Sequence, residues 1–184
     1  MSHFLRLQNF RCHQDYQVEL PSELTIITGP NGSGKTSLIE AMYLAYQGKS
    51  WRSNFEQIRR QTGHQLSDWW RVDLTDQTEK TTRTIKYQSG QKSFTVNDRT
   101  YCRLPLTMKV PVILFEPGDM QLLYGSPTRR RQFIDRFIAQ LEPVHQRELN
   151  KFNRVLKQRN ILLKQDNYSA EELMIWDIQF SDLS

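Results

Sequence analysis

The chain has 184 residues, of which 38% are hydrophobic and 24% are charged, and its formal net charge is +5. This length suits one well-buried domain, alone or with a helical extension, and excludes two large domains. The apolar runs are too short for a membrane span. Cys12 and Cys102 do not have the spacing of a metal site or of a disulfide framework, and this use of cysteine fits the reducing cytoplasm. The basic excess fits a polyanionic partner, and equally a protein with a mildly basic surface.

The N-terminal part of the chain is predicted to form strands that lead into a glycine-rich loop and a helix. Residues 4–10 alternate apolar and polar side chains, and residues 16–20 can pair with them as an antiparallel neighbour. Residues 24–28 have the composition of a short buried strand, and residues 37–46 form an amphipathic helix pattern. The loop between the last two elements is therefore expected to join a strand to a helix.

This loop satisfies every position of the pattern G-x-x-x-x-G-K-[ST], which is typical of a phosphate-binding loop. Glycines let successive backbone N–H groups point at phosphate oxygens, and the following helix N-terminus adds a favourable dipole. Lys35 is expected to reach the β- and γ-phosphates, and the Thr36 hydroxyl is placed to hold Mg²⁺. The predicted nucleotide-binding residues of the loop are Gly29, Pro30, Asn31, Gly32, Ser33, Gly34, Lys35 and Thr36.

The middle of the chain is predicted to be an antiparallel meander after a further short helix over residues 51–61. Three segments alternate in the manner of half-buried strands: residues 70–74, 83–87 and 93–96. Ser89-Gly90 and Asn97-Asp98 supply turn signals. Residues 110–115 form a continuous apolar run, which is typical of a strand covered on both faces.

Beyond Pro117 the pattern is helical, so we expect a boundary between two lobes there. Residues 119–123 are predicted to form a short helix. A longer helix is expected to follow Ser126-Pro127, an N-cap followed by proline at the first helical position. Pro143 closes that helix and opens another, and a last helix over residues 170–180 is expected to begin after a Ser169 cap.

Several distinctive blocks occur along the chain in a fixed order. They are Asn9-Phe10-Arg11, residues 29–41, residues 47–53, Phe115-Glu116-Pro117, residues 125–135 and residues 156–160. The phosphate loop alone would indicate only a P-loop ATPase, whereas the blocks after residue 115 are more particular. Together the blocks resemble the RecF family of bacterial recombination mediators.

The resemblance implies an α/β fold, a P-loop NTPase head of the ABC/SMC type. Its mixed sheet with an antiparallel meander would form lobe I over residues 1–117, and residues 118–184 would begin a helical lobe II. No Ser-x-Gly-Gln signature segment and no convincing Walker B strand occur in these residues. The chain is therefore expected to be the N-terminal half of a longer protein, and whether it is an enzyme by itself is left open.

RecF proteins bind ATP with Mg²⁺, dimerise around it, bind DNA at gaps or single-strand/double-strand junctions, and assist recombinase loading. The resemblance thus implies DNA, a second copy of the protein and recombination mediator proteins as partners, in the cytoplasm and in the response to DNA damage. Two alternatives remain: the head of another SMC-like or ABC-type ATPase, and a DNA- or protein-binding module with a structural nucleotide site.

The resemblance also suggests site residues outside the loop. In related heads the loop after the first strand lies beside the nucleotide, which makes Arg11 a candidate for nucleotide contact and alternatively a solvated loop arginine. Glu116 ends an apolar run and is a weak candidate for a water-orienting base. There are two alternatives to this catalytic role. The strand before Glu116 could simply exit into a loop, or this region could be where related heads keep a γ-phosphate-sensing Gln, and Gln121 follows a few residues later.

Arg129, Arg130 and Arg131 occupy the first turn of a predicted helix, where the helix dipole is already positive. This unfavourable placement suggests an anionic partner, either DNA phosphate, a dimer partner or the nucleotide. A solvated basic face is the alternative. On the meander, Arg83 and Lys86 are an odd number of residues apart and are expected on opposite faces of a strand.

Overall fold

The computed structural model describes residues 2–21, 23–165 and 169–183. The chain divides into two compact units, Met1–Val112 and Ile113–Ser184. The first contains a sheet and one long helix, and the second is helical.

The sheet of the first unit has six strands, and each strand is antiparallel to its neighbours. The strands are β1 (Ser2–Phe10), β2 (His13–Pro21), β5 (Trp69–Asp76), β6 (Thr81–Gln88), β7 (Gln91–Val96) and β8 (Arg99–Tyr101), and a separate small hairpin is formed by β3 (Gln61–Thr62) and β4 (Gln65–Leu66). The spatial order in the sheet is β2-β1-β5-β6-β7-β8, so that the N-terminal hairpin extends the meander. The predicted N-terminal pair and the predicted meander are both confirmed.

The two predicted turn signals of the meander form two-residue hairpin loops. Ser89 and Gly90 have φ angles of 50° and 83°, and Asn97 and Asp98 have φ angles of 44° and 68°. Positive φ at both central residues matches the right-handed twist of the flanking strands. The register of the meander is thus set locally, and it places Arg83 in the interior and Lys86 on the exposed face, as predicted.

Helix α1 (Lys35–Gln47) packs against one face of the sheet. Its buried side chains include Leu38, Ala41 and Leu44, which join Leu5, Leu7, Val72, Leu74 and Ile85 in the core. Trp70 is fully buried, and its indole N–H donates to the Phe55 carbonyl at 2.8 Å. The predicted helix after the loop is confirmed.

The helix predicted over residues 51–61 is wrong, because only a short 3₁₀ turn forms there, over Glu56–Ile58. Polar side chains in this segment bond the local backbone. The Ser50 hydroxyl accepts from the N–H groups of Arg52 and Ser53, and the Asn54 side chain accepts from the N–H of Gln57. Such bonds compete with helical backbone pairing.

Neither of the two buried strands predicted over residues 24–28 and 110–115 forms a strand. Residues 24–28 and 110–115 have no partner in a sheet within the described part of the chain. Leu24 and Ile26 expose 75% and 76% of their surface, and Ile113 and Phe115 expose 69% and 67%. Their apolar composition was read correctly, but a strand also needs a neighbour for its backbone groups, and the described residues supply none.

The second unit consists of helices whose predicted ends are largely confirmed. A 3₁₀ turn over Pro117–Met120 leads into α2 (Gln121–Tyr124), and α3 (Pro127–Leu141) follows Ser126. Helix α4 (Pro143–Leu162) begins at the predicted proline, and α5 (Ala170–Asp182) begins after Ser169. The Ser126 and Ser169 side chains make no capping hydrogen bond.

Helix α4 contacts both α3 and α5. The Arg159 guanidinium pairs with Asp177 at 2.5 Å, and the rings of Phe152 and Phe180 lie 5.2 Å apart. No helix among the described residues has the length and apolar character needed to cross a bilayer.

Candidate nucleotide-binding site

The phosphate loop, residues 29–36, adopts a backbone that its glycines permit. Gly29, Gly32 and Gly34 have φ angles of 149°, 82° and 92°, in a region that residues with a Cβ rarely occupy. Gly34 directly precedes α1, so the backbone N–H groups of the loop lie next to the N-terminus of the helix, which is the positive end of its dipole. This geometry suits phosphate oxygens.

Gly34, whose positive φ angle favours glycine, lies close to the side chains of Cys12 and His13. A Cβ at this position would lie 2.4 Å from Nε2 of His13 and 2.6 Å from Sγ of Cys12. The His13 ring nitrogen is 3.4 Å from the Gly34 carbonyl oxygen. The start of β2 therefore lies directly against the end of the phosphate loop.

Lys35 is held over the loop by its backbone carbonyl groups. Its ammonium donates to the carbonyl oxygens of Gly29 at 2.8 Å and Pro30 at 2.7 Å. These bonds place a positive charge at the centre of the loop, where a phosphate would lie. The side chain of Thr36 is exposed at the first turn of α1, and its hydroxyl is a hard oxygen donor of the kind that Mg²⁺ accepts.

A cleft of about 610 Å³ opens beside the phosphate loop, and we call it the nucleotide cleft. Its volume lies within the usual range for small-molecule sites. One wall is the loop and the start of α1; the other comes from the β1–β2 turn and the segment before β3. The lining residues are Arg11, Cys12, Asn31, Gly32, Gly34, Lys35, Thr36, Ser37, Arg52, Gln57, Arg59 and Gln61.

The structure brings Arg11 into this cleft together with the predicted loop, but its guanidinium is already well occupied. It donates to both carboxylate oxygens of Glu40, at 2.9 and 2.7 Å, and to the Gln57 carbonyl at 2.9 Å. It also contacts the Ser53 hydroxyl. Arg11 therefore braces the cleft wall, and its contact with nucleotide stays a prediction.

Glu40 is the residue that sequence reasoning missed. It lies on α1, is 0% exposed, and accepts hydrogen bonds from Arg11, from Ser50 at 2.6 Å and from Ser53 at 3.2 Å. Arg52 lies 3.6 Å away. A single glutamate within the apolar and aromatic run of residues 38–46 was the available signal, since a buried charge needs a partner. This carboxylate ties three segments of the cleft wall together.

The network around Glu40 predicts a dependence of stability on pH. Burial raises the pKa of Glu40, but hydrogen bonds from Arg11 and Ser50 and the charges of Arg11 and Arg52 lower it by more, to below its ordinary value of 4.5. The unfolded state therefore takes up the proton first, so this stabilisation is complete above pH 4.5 and is lost as the pH falls through the folded pKa.

We expect the difference in unfolding free energy between the wild type and Glu40→Gln to shrink as the pH falls below 4.5. Urea unfolding of both proteins at stepped pH measures this difference and cancels the titration of other carboxylates. A difference that stays constant down to acid pH would show that the ionised carboxylate is not what stabilises the fold.

The other predicted residues lie in the second unit. The Glu116 side chain accepts from the backbone N–H of Asp119 in a capping box, so one of its roles is to start the 3₁₀ turn. The Arg130 guanidinium donates to the Gly125 carbonyl at 3.1 Å, and Arg129 donates to the side-chain oxygen of Gln121. Their proposed chemical roles stay predictions.

A family model described as an AAA domain matches residues 5–182. The chain belongs to the AAA domain family. Curated proteins similar to it are each named "DNA replication and repair protein RecF": one from Thermomicrobium roseum is 34% identical and one from Moorella thermoacetica is 36% identical. Each match covers 95% of this chain and 48% of the relative.

Solved structures with the fold of this AAA domain are also RecF proteins. The recombination mediator protein RecF-ATPrS in the RecFOR pathway matches with a TM-score of 0.80 at 22% identity, over 100% of this chain and 51% of that chain. The corresponding RecF-ATP structure matches with a TM-score of 0.75 at 24% identity, over 99% of this chain and 51% of that chain.

These findings confirm the predicted P-loop NTPase head and the resemblance to RecF. They also support nucleotide binding by this AAA domain. The chain spans about half the length of the curated relatives it matches.

Proposed function

We propose that the chain is the ATP-binding part of a RecF-like DNA replication and repair protein, and that it binds Mg²⁺-ATP in the nucleotide cleft. The carrying observation is the phosphate loop itself. Three glycines with positive φ lead into the N-terminus of α1 while the Lys35 ammonium lies over the loop carbonyls. Such a site binds a polyphosphate through backbone N–H groups and one fixed cation.

Mg²⁺ would be held by Thr36, and its charge would neutralise phosphate oxygens when it is bound. Arg11 and Arg52 line the same cleft, and together they carry one positive charge more than the Glu40 carboxylate with which both pair. In this proposal ATP binding joins two copies of the protein, as the resemblance implies, and Glu116 remains a candidate water-orienting base.

The proposal extends to DNA at gaps or single-strand/double-strand junctions and to recombinase loading with recombination mediator proteins, in the cytoplasm, where the DNA lies. It is supported by the RecF names of the relatives and by the four arginines of α3. Arg129, Arg130 and Arg131 are proposed to contact DNA or the dimer partner. Residues 1–117 are proposed as lobe I and residues 118–184 as the start of lobe II.

Calorimetric titration of the chain with ATP, with and without Mg²⁺, tests the cofactor assignment. We expect Mg²⁺ to strengthen ATP binding in the wild type, and we expect Thr36→Val, which removes only the hydroxyl, to lose that gain. Binding without Mg²⁺ should stay unchanged. Ser33→Ala in the same loop is the control, because Ser33 contributes to the site mainly through its backbone.

Two results would contradict this assignment. If the wild type shows no ATP binding in either condition, the proposed function fails for this chain. If Thr36→Val keeps the full gain from Mg²⁺, the nucleotide site stands and Thr36 is not the metal ligand.

A further inference from the structure

Helix α3 carries four arginines, Arg129, Arg130, Arg131 and Arg136, and none has a carboxylate partner within 4 Å among residues 2–21, 23–165 and 169–183. Arg129 and Arg130 lie in the first turn and Arg131 follows directly, close to the helix end where the dipole repels positive charge. The described part of the second unit therefore leaves this cationic charge without an ionic partner.

The run of three arginines does not act as one patch, because successive residues on a helix point about 100° apart. Arg130 turns back to the Gly125 carbonyl. Arg129 is spaced three, four and seven residues from Gln132, Phe133 and Arg136, which places these four side chains on one helix face. Arg136 thus joins Arg129, although the sequence pattern grouped Arg129 with its immediate neighbours.

This helix face lines a cleft of about 300 Å³ within the second unit, which we call the α3 cleft. Gly118, Asp119 and Leu122 form its opposite side. One carboxylate oxygen of Asp119 accepts the backbone N–H of Glu116 at 2.8 Å. The two guanidinium groups therefore outweigh a single carboxylate that is already hydrogen-bonded.

The donors in the α3 cleft are available to a ligand. Arg136 and Gln132 make no side-chain hydrogen bond or ion pair with any residue that the structure describes. Arg129 is oriented toward α2 by its contact with the Gln121 side chain. Two guanidinium groups on one helix face can bind a phosphate through fork-shaped pairs of N–H groups.

An exposed aromatic ring lies beside these donors. Phe133 lines the α3 cleft and exposes 36% of its surface. Basic residues next to an aromatic ring are the elements with which proteins bind single strands, since the cations contact the backbone and the ring stacks on a base. A volume at the low end of the range for ligand sites suits one phosphate with its neighbouring group.

We propose that the α3 cleft binds single-stranded nucleic acid, with one backbone phosphate between Arg129 and Arg136 and one base on Phe133. This inference rests on the proposed function, in which α3 contacts DNA, and it narrows that contact to a single strand and to one face of the helix. An acidic protein segment would use the two arginines but gain little from an aromatic ring.

The test is fluorescence anisotropy of labelled oligothymidine with the 184-residue chain over a series of salt concentrations. We expect Arg136→Ala to weaken binding and to reduce the slope of log affinity against log salt by about 0.7, the loss of one single-strand phosphate contact. Phe133→Leu should weaken binding by about fivefold or more without changing the slope.

Arg147→Ala is the control, because it removes the same charge from an exposed position of α4 outside the α3 cleft. Its affinity should stay closer to that of the wild type than the affinity of Arg136→Ala. If Phe133→Leu is misfolded by circular dichroism, the pair Arg136→Ala and Arg147→Ala decides, since both side chains are exposed.

Equal losses in Arg147→Ala and Arg136→Ala would overturn the α3 cleft in favour of a diffuse basic surface. If neither Arg136→Ala nor Phe133→Leu changes the affinity for oligothymidine, the proposed role of the α3 cleft is wrong and DNA binds elsewhere on the chain. No binding of oligothymidine or of a duplex would overturn both the cleft and the DNA part of the proposed function. If polyglutamate displaces labelled oligothymidine as strongly as unlabelled oligothymidine does, and Phe133→Leu binds with wild-type affinity, the cleft is assigned to an acidic protein segment.

Discussion

Lys35→Ala should lower the affinity of the chain for ATP by on the order of a hundredfold. The loop carbonyls of Gly29 and Pro30 hold the Lys35 ammonium directly over the phosphate loop. A hydrogen bond to a charged group contributes about 1.5–3 kcal/mol, and each 1.4 kcal/mol is tenfold in affinity. The loss of two such bonds to phosphate oxygens therefore gives this order of magnitude.

Calorimetric titration with ATP measures the effect, and Lys49→Ala is the control. Lys49 follows α1 and is exposed, so its removal changes the net charge equally without touching the phosphate loop. Thermal unfolding should differ little between Lys35→Ala and the wild type, because this side chain contacts only the loop backbone. ATP binding by Lys35→Ala at wild-type affinity would show that residues 29–36 do not hold the phosphates.

Glu40→Gln should lower the free energy of unfolding by about 3 kcal/mol at neutral pH. The carboxylate is fully buried and holds Arg11, Ser50 and Ser53 at hydrogen-bond distance. Glutamine keeps the shape but not the charge, and it leaves the Arg11 guanidinium without its ionic partner. Removing one member of a buried pair costs far more than the intact pair contributes, because the remaining charge stays desolvated.

Urea unfolding measures this change, with Glu56→Gln as the control. Glu56 also pairs with an arginine, Arg59, at 3.0 Å, but its side chain is 66% exposed. An exposed pair contributes about 1 kcal/mol or less. Equal effects of the two substitutions would show that the Glu40 network is not a buried electrostatic centre of the fold.

The sequence by itself determined the parts of this protein that depend on short stretches of chain. The phosphate loop was predicted residue by residue, because its glycines at 29, 32 and 34 are needed for local backbone angles. The two hairpin turns were predicted for the same reason. Helices α1, α3, α4 and α5 followed from apolar spacing and from proline and serine at their starts.

The tertiary structure alone decided which distant segments meet. Arg11, Glu40 and Ser53 belong to a turn, a helix and a loop, and no local pattern states that they share one hydrogen-bond network. The wall of Arg52, Gln57, Arg59 and Gln61 in the nucleotide cleft was missed for this reason. Which face of α3 lines a cleft likewise depends on the segment that packs opposite it, which contributes Gly118, Asp119 and Leu122.

Two unpaired apolar segments show why a local sequence pattern does not decide which segments pair. Residues 24–28 and 110–115 carry the composition of buried strands, yet both stay outside the sheet among the described residues. A glycine turn or a helix satisfies its backbone groups within a few residues, whereas a strand bonds to another segment. The sequence determined what these segments are suited to form, and only the presence of a neighbouring strand decides whether they form it.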